Sequence, residues 1–419
     1  AGGNYPVASN LALYMAKQVE VLYGPAAALY GADAVAGVIN IITEAGKGPQ
    51  GSWAALGAGR FGDQEGSFFT GLNTDQDLHL SLGGHWQRAD RAPLDRYYPR
   101  EFAKVPAIGK GQTIIPALQR EPYVGSTSSH SLYARADWAN RFTAGFFRHS
   151  FTSLTSTGDP PAMTRYQQSS QWQSTSDTFY GRWHFNPAPD VQAQLLIDHS
   201  RMEVDPKARY NNTFSNYQDS YSYELGKRTG VEQSLNWRIN ERQQLQTGLG
   251  WQKYYAAVGA SLPHPYDTGK PAHGQGFVYP NTMLPLQIHD DGFRNLSAYA
   301  QLQSQWSDAL SSSAGVRVDR HSRYGTAVNP RLGAVYKPQE QHVFKLLYGE
   351  AFRVPSPEES LSAFGRFDGS TDAQGNYIGN NFRIPNFGLN PEKSRTVSAA
   401  WDWRPTPSLN LNAHVYHSH

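Results

Sequence analysis

Cysteine is absent from the 419 residues, which removes thiol nucleophiles, cysteine metal sites and disulfides from consideration. Charge is scarce: Asp, Glu, Lys and Arg make up 17%, against about 25% in a typical soluble domain. Neither sign dominates. The 37 basic and 35 acidic residues leave +2, so nothing in the balance points to nucleic acid. No run of about 18 apolar residues occurs, which excludes a helical membrane span. The usual enzyme signatures are missing too, whether G-x-x-x-x-G-K-[ST], G-x-S-x-G or H-E-x-x-H. Gly57 to Gly62 fits G-x-G-x-x-G, with Asp77 downstream, but no helical pattern follows. The glycines read better as the opening of a strand.

What the chain does have is aromatic residues (13%, with 24 Tyr), 39 Gly and 26 Pro, a profile that favours β-structure. From Gly51 onward the text alternates with period two. Leu78, Leu80 and Leu82 stand against Asp77, His79 and Ser81, and Leu132, Ala134, Ala136 and Trp138 against Tyr133, Arg135 and Asp137. Similar rows recur to Leu409, Leu411, Ala413 and Val415, giving about 15 expected strands of roughly 9 to 15 residues, long enough to cross a bilayer when tilted. Alternation suits a soluble sandwich equally well; the connections discriminate. Short turns such as Asn140-Arg141, Asn240 to Gln243 and Ser307-Asp308 alternate with long segments: Asp90 to Ser128, Ser153 to Gln171, Val204 to Ser220, Gly259 to Gly292 and Arg353 to Glu392. Loops segregated by length mark a transmembrane antiparallel β-barrel. Trp138, Trp183, Trp237, Trp306 and Trp403 fall near the short turns, where an aromatic belt belongs.

Before the alternating region, Val19 to Thr43 reads as strand, glycine-proline turn, short helix-compatible stretch and second strand. This segment resembles the end of the plug domain of TonB-dependent outer-membrane receptors, with the form E-V-L-x-G-P, L-Y-G, G-G-V-I-N-I. Glu20, Gly24, Pro25, Tyr30, Gly31, Gly37 and Asn40 stand at the motif's positions, and Leu29, Val38, Ile39 and Ile41 fill its apolar ones. Tyr23 replaces the usual Arg before Gly-Pro, and Ala36 the first paired glycine. Val316 to Asp319, Asn329 to Gly333, Phe352-Arg353-Val354-Pro355 and Leu389 to Ser394 resemble recurring barrel segments of the same family.

The resemblance implies an all-β protein: residues 1–47 as the C-terminal part of a plug, 48–419 as an incomplete barrel. The family barrel has 22 strands, so the start of the plug, the TonB-contacting segment and about seven strands are expected beyond this chain, which alone should not fold stably in a membrane. Implied too is a location in the outer membrane of a Gram-negative bacterium, in contact with its lipid. The protein would be no enzyme but an importer of a ferric siderophore, energised by TonB-ExbB-ExbD, with no cofactor and iron only as part of the cargo. Cobalamin or another metal chelate is the alternative cargo. A passive porin conflicts with the plug motif, and a soluble carbohydrate-binding β-protein with the loop asymmetry. No histidine lies between Pro355 and Asn390, where haem receptors of the family carry one.

By position, Asn4, Tyr5 and Asn10 in the leading loop are expected to touch ligand. Within the long loops Tyr97, Tyr98, Tyr210, Tyr217, His264, Tyr377 and Arg383 are candidates, because aromatic faces beside amide or guanidinium donors suit a partly aromatic, anionic chelate. A metal site at His414, His417 and His419 is disfavoured, since the first faces opposite to the others and no carboxylate is near.

Overall fold

The computed structural model describes residues 13–23, 31, 34, 37–44, 51–74, 77–103, 121–154, 164–215, 218–278, 282–283 and 285–419. A hairpin comes first, β1 (Ala16–Tyr23) and β2 (Gly37–Thr43), paired antiparallel with Glu20 opposite Asn40. The chain continues through β3 (Trp53–Ala58), β4 (Gln64–Asn73), β5 (Leu78–Ala89), β6 (Thr127–Trp138), β7 (Phe142–Leu154), β8 (Gln171–Ala188) and β9 (Val191–Val204). Next are the short β10 (Arg209–Tyr210), then β11 (Ser220–Asn240), β12 (Gln243–Leu262), β13 (Gly276–Val278), β14 (Pro285–Gln287), β15 (His289–Gln305) and β16 (Leu310–His321). Last are β17 (Gly325–Gln339), β18 (His342–Arg353), β19 (Phe364–Thr371), β20 (Tyr377–Arg383), β21 (Glu392–Thr406) and β22 (Leu409–Ser418). Fifteen long strands form one antiparallel sheet in chain order from β3 to β22, with β10 added beside β11. β13–β14 and β19–β20 are separate hairpins inside long loops, which the alternation pattern did not foresee.

Burial in this sheet is inverted relative to a soluble protein. Leu80, Leu132, Phe179, Ile197, Leu249, Leu296, Val318, Leu332 and Leu346 are exposed, whereas the alternating Ser81, Ser131, Asp137, Asn295, Arg317, Asp319 and Asn329 are buried. A sandwich would bury the first set. The outward apolar band ends near the short turns in stacked rings: Trp138 on Phe142 at 5.6 Å, Phe142 on Trp183 at 6.1 Å, and Trp401 on Trp403 at 5.7 Å. Such a girdle sits where lipid meets water.

The sheet curls around the hairpin. Met15 packs in a cluster with Phe69 and Tyr133, Tyr133 Oη donates to the carbonyl of Glu44 at 2.9 Å, and Tyr14 stacks on His85. Gly31 lies instead against β16, where an added Cβ would sit 3.2 Å from Arg317 Nη2. β6 and β16 are seven positions apart in the sheet order, roughly 34 Å at about 4.8 Å per strand. The polar face thus meets the same segment at two well-separated strands.

At the end bearing residues 139–141, 189–190, 241–242 and 340–341 every connection is short. The β6–β7 turn has Ala139 and Asn140 both at positive φ, 52° and 54°, the twist a two-residue hairpin turn requires. The opposite end carries the long loops, with two exceptions: β3 to β4 and β16 to β17 close through 59–63 and 322–324. The rim is low at those places.

Candidate ligand cavity

Above the hairpin, the inner wall and the loop after β18 enclose a cavity of about 810 Å³, with Gly31 in its lining. Strand register decides which side chains meet there. Arg228, Tyr254 and Phe293 stand opposite one another on β11, β12 and β15, and Gln252, Asn295 and His321 form the next row. Both rows point inward, since their neighbours Trp251, Leu296 and Arg320 belong to the outer face. The rings form a ladder: Tyr254 stacks on Phe293 at 4.7 Å, Phe293 meets His321 at 4.7 Å, and His321 meets Tyr324 at 4.9 Å. One stacked contact and two tilted by 38° and 35° hold the four rings in a row along the wall.

The His321 ring is fixed by its turn. Its Nδ1 accepts the backbone N–H groups of Arg323 and Tyr324 at 3.1 and 3.2 Å, which places the neutral ring's proton on Nε2. Nε2 has no protein partner among the described residues, and neither does Asn295 Oδ1, whose amide nitrogen is committed to Asp319 at 2.9 Å.

Each arginine of the wall is held by a carboxylate. Arg228 Nη2 bonds Asp198 at 2.6 Å. Arg317 grips Asp319 through Nε at 2.9 Å and Nη2 at 3.1 Å, with both side chains almost wholly buried. Arg353 bridges two partners, Glu359 through Nη1 at 2.8 Å and Glu392 through Nη2 at 2.8 Å. Arg353 belongs to the Phe352-Arg353-Val354-Pro355 segment and Glu392 to Asn390-Pro391-Glu392, so this pair joins two of the motifs noted in the sequence.

Ser356 caps the short helix Pro357–Leu361 by accepting from the Glu359 N–H, while the Glu359 carboxylate takes the Ser356 N–H. The hydrogen bonds from Arg353 hold the Glu359 carboxyl down at about 2. Burial pushes that of Glu358 up, with Arg383 opposing at 3.8 Å. The helix packs on β12 and β15, four and three strands along the sheet from the β18 it follows, and Leu361 is fully buried. The loop therefore roofs the cavity.

A second, mostly apolar cavity of about 860 Å³ lies between the β13–β14 hairpin and the end of β20, lined by Phe277, Val278, Pro285, Phe382 and Ile384 with Arg383 and His289.

Of the residues expected to touch ligand, Arg383 lines this second cavity and His264 lies beside it, its ring edge-on to Phe277 at 4.7 Å. Tyr97 and Tyr98 are exposed at the rim, the former edge-on to Phe61. Tyr210 is buried against Trp172. Tyr377 lies on β20. Asn4, Tyr5, Asn10 and Tyr217 fall outside the described residues, as do Gly24, Pro25 and Tyr30 of the plug motif. The remaining motif residues have clear roles: Asn40 Nδ2 donates to Glu20 Oε2 at 3.0 Å across the hairpin, Gly37 pairs with Tyr23, and Gly31 adopts φ 84°. Sequence reasoning missed the inner-wall set of Arg228, Tyr254, Phe293, His321 and Arg353. The signal available was the polar phase of the alternating rows.

An outward apolar band, a buried polar lumen and a segment packed inside it define a plugged outer-membrane β-barrel. The family model described as TonB dependent receptor-like, beta-barrel matches residues 117–419, and the chain belongs to that family. Among curated proteins, the vitamin B12 transporter BtuB of Vibrio vulnificus (strain CMCP6) is 23% identical over 360 residues, covering 83% of this chain and 50% of its own length. Similar solved structures include the siderophore receptor PirA from Acinetobacter baumannii (TM-score 0.64, 16% identity, 96% of this chain and 57% of that one). The ferric-catecholate import receptor Fiu from E. coli K12 aligns with TM-score 0.67 at 13% identity, over 97% of this chain and 63% of that one. The chain thus spans about half the length of the curated relative it matches.

Proposed function

We propose that this chain is the barrel and plug-end portion of a receptor that imports a ferric siderophore, dividing near residue 47 into plug and barrel. The observation that carries this is that Tyr254, Phe293 and His321 of the ladder line a roofed cavity together with Gly31 of the plug segment. Planar rings beside N–H donors suit a chelate built from aromatic ligands, and its iron enters only as cargo. Loops and inner wall would take the ligand from outside. The plug would then be moved by a TonB-ExbB-ExbD complex drawing on the proton gradient, and no covalent bond in the cargo is broken. Cobalamin is the second reading, favoured by the similarity to a vitamin B12 transporter.

The test is whole-cell uptake from the complete gene, with labelled ferric catecholate, ferric hydroxamate and cobalamin supplied separately. Protonophore-sensitive uptake of an iron chelate is expected. Uptake of cobalamin alone would select the second reading, and uptake indifferent to the protonophore would refute energised transport.

A further inference from the structure

The second cavity, of about 860 Å³, differs from the first in having little with which to bind a polar ligand. Val278 and Pro285 of the β13–β14 hairpin line it together with Ala363, Phe382 and Ile384 of the segment after β18. Val278 and Ile384 are 54% and 75% exposed, although both lie in long loops and not on the band that lipid covers. Apolar side chains gathered in water mark a binding surface. The polar groups at the edge already have partners: Arg383 lies 3.8 Å from Glu358, and Gln287 donates to the His273 carbonyl at 3.3 Å. A polar ligand segment lodged here would exchange water for few hydrogen bonds. An alkyl chain loses nothing on leaving water and gains about fourfold in affinity for each methylene fully buried.

The aromatic ladder leads toward this cavity. Tyr324, its last ring, lies 5.4 Å from the Arg323 guanidinium, and the same guanidinium stands over Phe387 at 5.8 Å. Phe387 meets His289 edge-on at 5.4 Å, and His289 lines the second cavity. His289 and Phe293 share the inward face of β15, roughly 13 Å apart along the strand at about 3.3 Å per residue. The roof borders both chambers: Phe352 to Pro357 line the first, Phe382 to Pro385 the second. A molecule seated on the rings of the first therefore has the second within reach of a flexible extension.

We propose that the imported chelate is amphiphilic: a ferric siderophore bearing an alkyl chain, whose head rests against Tyr254, Phe293 and His321 and whose tail lodges between the β13–β14 and β19–β20 hairpins. This rests on the first cavity being the chelate site, and the tail is what the second cavity adds. Separate aromatic and aliphatic chambers match a ligand divided in the same way.

The receptor expressed from its complete gene and placed in lipid nanodiscs tests this. The probes are a ferric catecholate and a ferric hydroxamate, each prepared with a decanoyl or an acetyl amide, and quenching of tryptophan fluorescence reads their affinities. For the head that binds, wild type should take the decanoyl form about thirtyfold more tightly, the equivalent of about two or three fully buried methylenes in a cavity open on one side. Val278→Ser with Ile384→Ser should reduce that preference to about threefold, and partition of the chain into lipid cancels between the two proteins. Equal affinity of wild type for the two forms, or an unchanged preference in the double variant, overturns the proposal while leaving the chelate reading in place. Binding of none of the probes overturns both. A variant that changes oligomeric state and not the preference also overturns the proposal, since the patch would then be a subunit contact. Should the double variant not fold, Ile384→Ser alone should lower the preference about threefold.

Discussion

Removing the Arg317 guanidinium should cost more than its two hydrogen bonds suggest at first sight, because of what it leaves behind. Asp319 is 1% exposed and receives Nε and Nη2 of Arg317 along with Nδ2 of Asn295. Arg317→Met keeps much of the packing volume but strands the carboxylate with one donor. Two charge-assisted bonds at about 1.5 to 3 kcal/mol each give about 3 to 6 kcal/mol, in line with the 3 to 5 kcal/mol seen when one partner of a buried pair is deleted. Arg317→Lys keeps the charge while losing the fork, and should cost about 1 to 2 kcal/mol. The informative comparison is Arg317→Met combined with Asp319→Leu, which removes both charges and should recover most of the loss. Urea unfolding of the complete receptor in lipid vesicles, followed by tryptophan fluorescence, gives the free energies. A single variant costing under about 1 kcal/mol, or a double variant worse than the single, would refute the view that Asp319 depends on this cation.

Three further outcomes follow from the same wall and roof. Tyr254→Ala or Phe293→Ala should weaken binding of an aromatic ferric chelate about tenfold, the equivalent of about 1.4 kcal/mol of stacking, in a fluorescence-quenching titration; unchanged affinity would place the ligand elsewhere. The Glu359 carboxyl lies at about 2 against an ordinary 4.5, so its contribution to holding helix Pro357–Leu361 is complete above pH about 4.5 and fades as pH falls toward 2. Hydrogen exchange in that helix should accelerate over this window, and Glu359→Gln should abolish the pH dependence. Gly31→Val forces a β-branched residue to φ 84° and crowds Arg317, costing about 1 to 2 kcal/mol or more, and should loosen the plug segment enough to raise single-channel leak in planar bilayers.

Much of the barrel was legible because its information is local. Leu78, Leu80 and Leu82 announce a strand without reference to anything else, and Asn140 announces the turn beside it. The hairpin was legible for a different reason: Glu20 and Asn40 stand at recognisable spacings from Gly31. What stayed hidden depends on register. Tyr254, Phe293 and His321 come from three strands, and nothing in a single row says which of its polar residues will face which. The β19–β20 hairpin was hidden because its Phe364 to Thr371 strand has glycines where an alternating row would have apolar side chains. The low rim at 322–324 escaped notice because a three-residue link on the long-loop end departs from the pattern that identified the ends.

The pairing of the wall's arginines bears on how such a cavity selects. Arg228, Arg317 and Arg353 each carry a carboxylate partner, so the field inside is far weaker than three guanidiniums would produce unpaired. Selection by net charge would then be modest. The aromatic ladder and the unpaired His321 Nε2–H and Asn295 Oδ1 are directional instead, a row of rings with one donor and one acceptor held by neighbouring strands. A wall built this way discriminates by shape and hydrogen-bond pattern. Buried polar groups left unmatched by a wrong ligand penalise it more than a lost Coulombic attraction would, which gives a receptor facing many anions a physical basis for choosing among them.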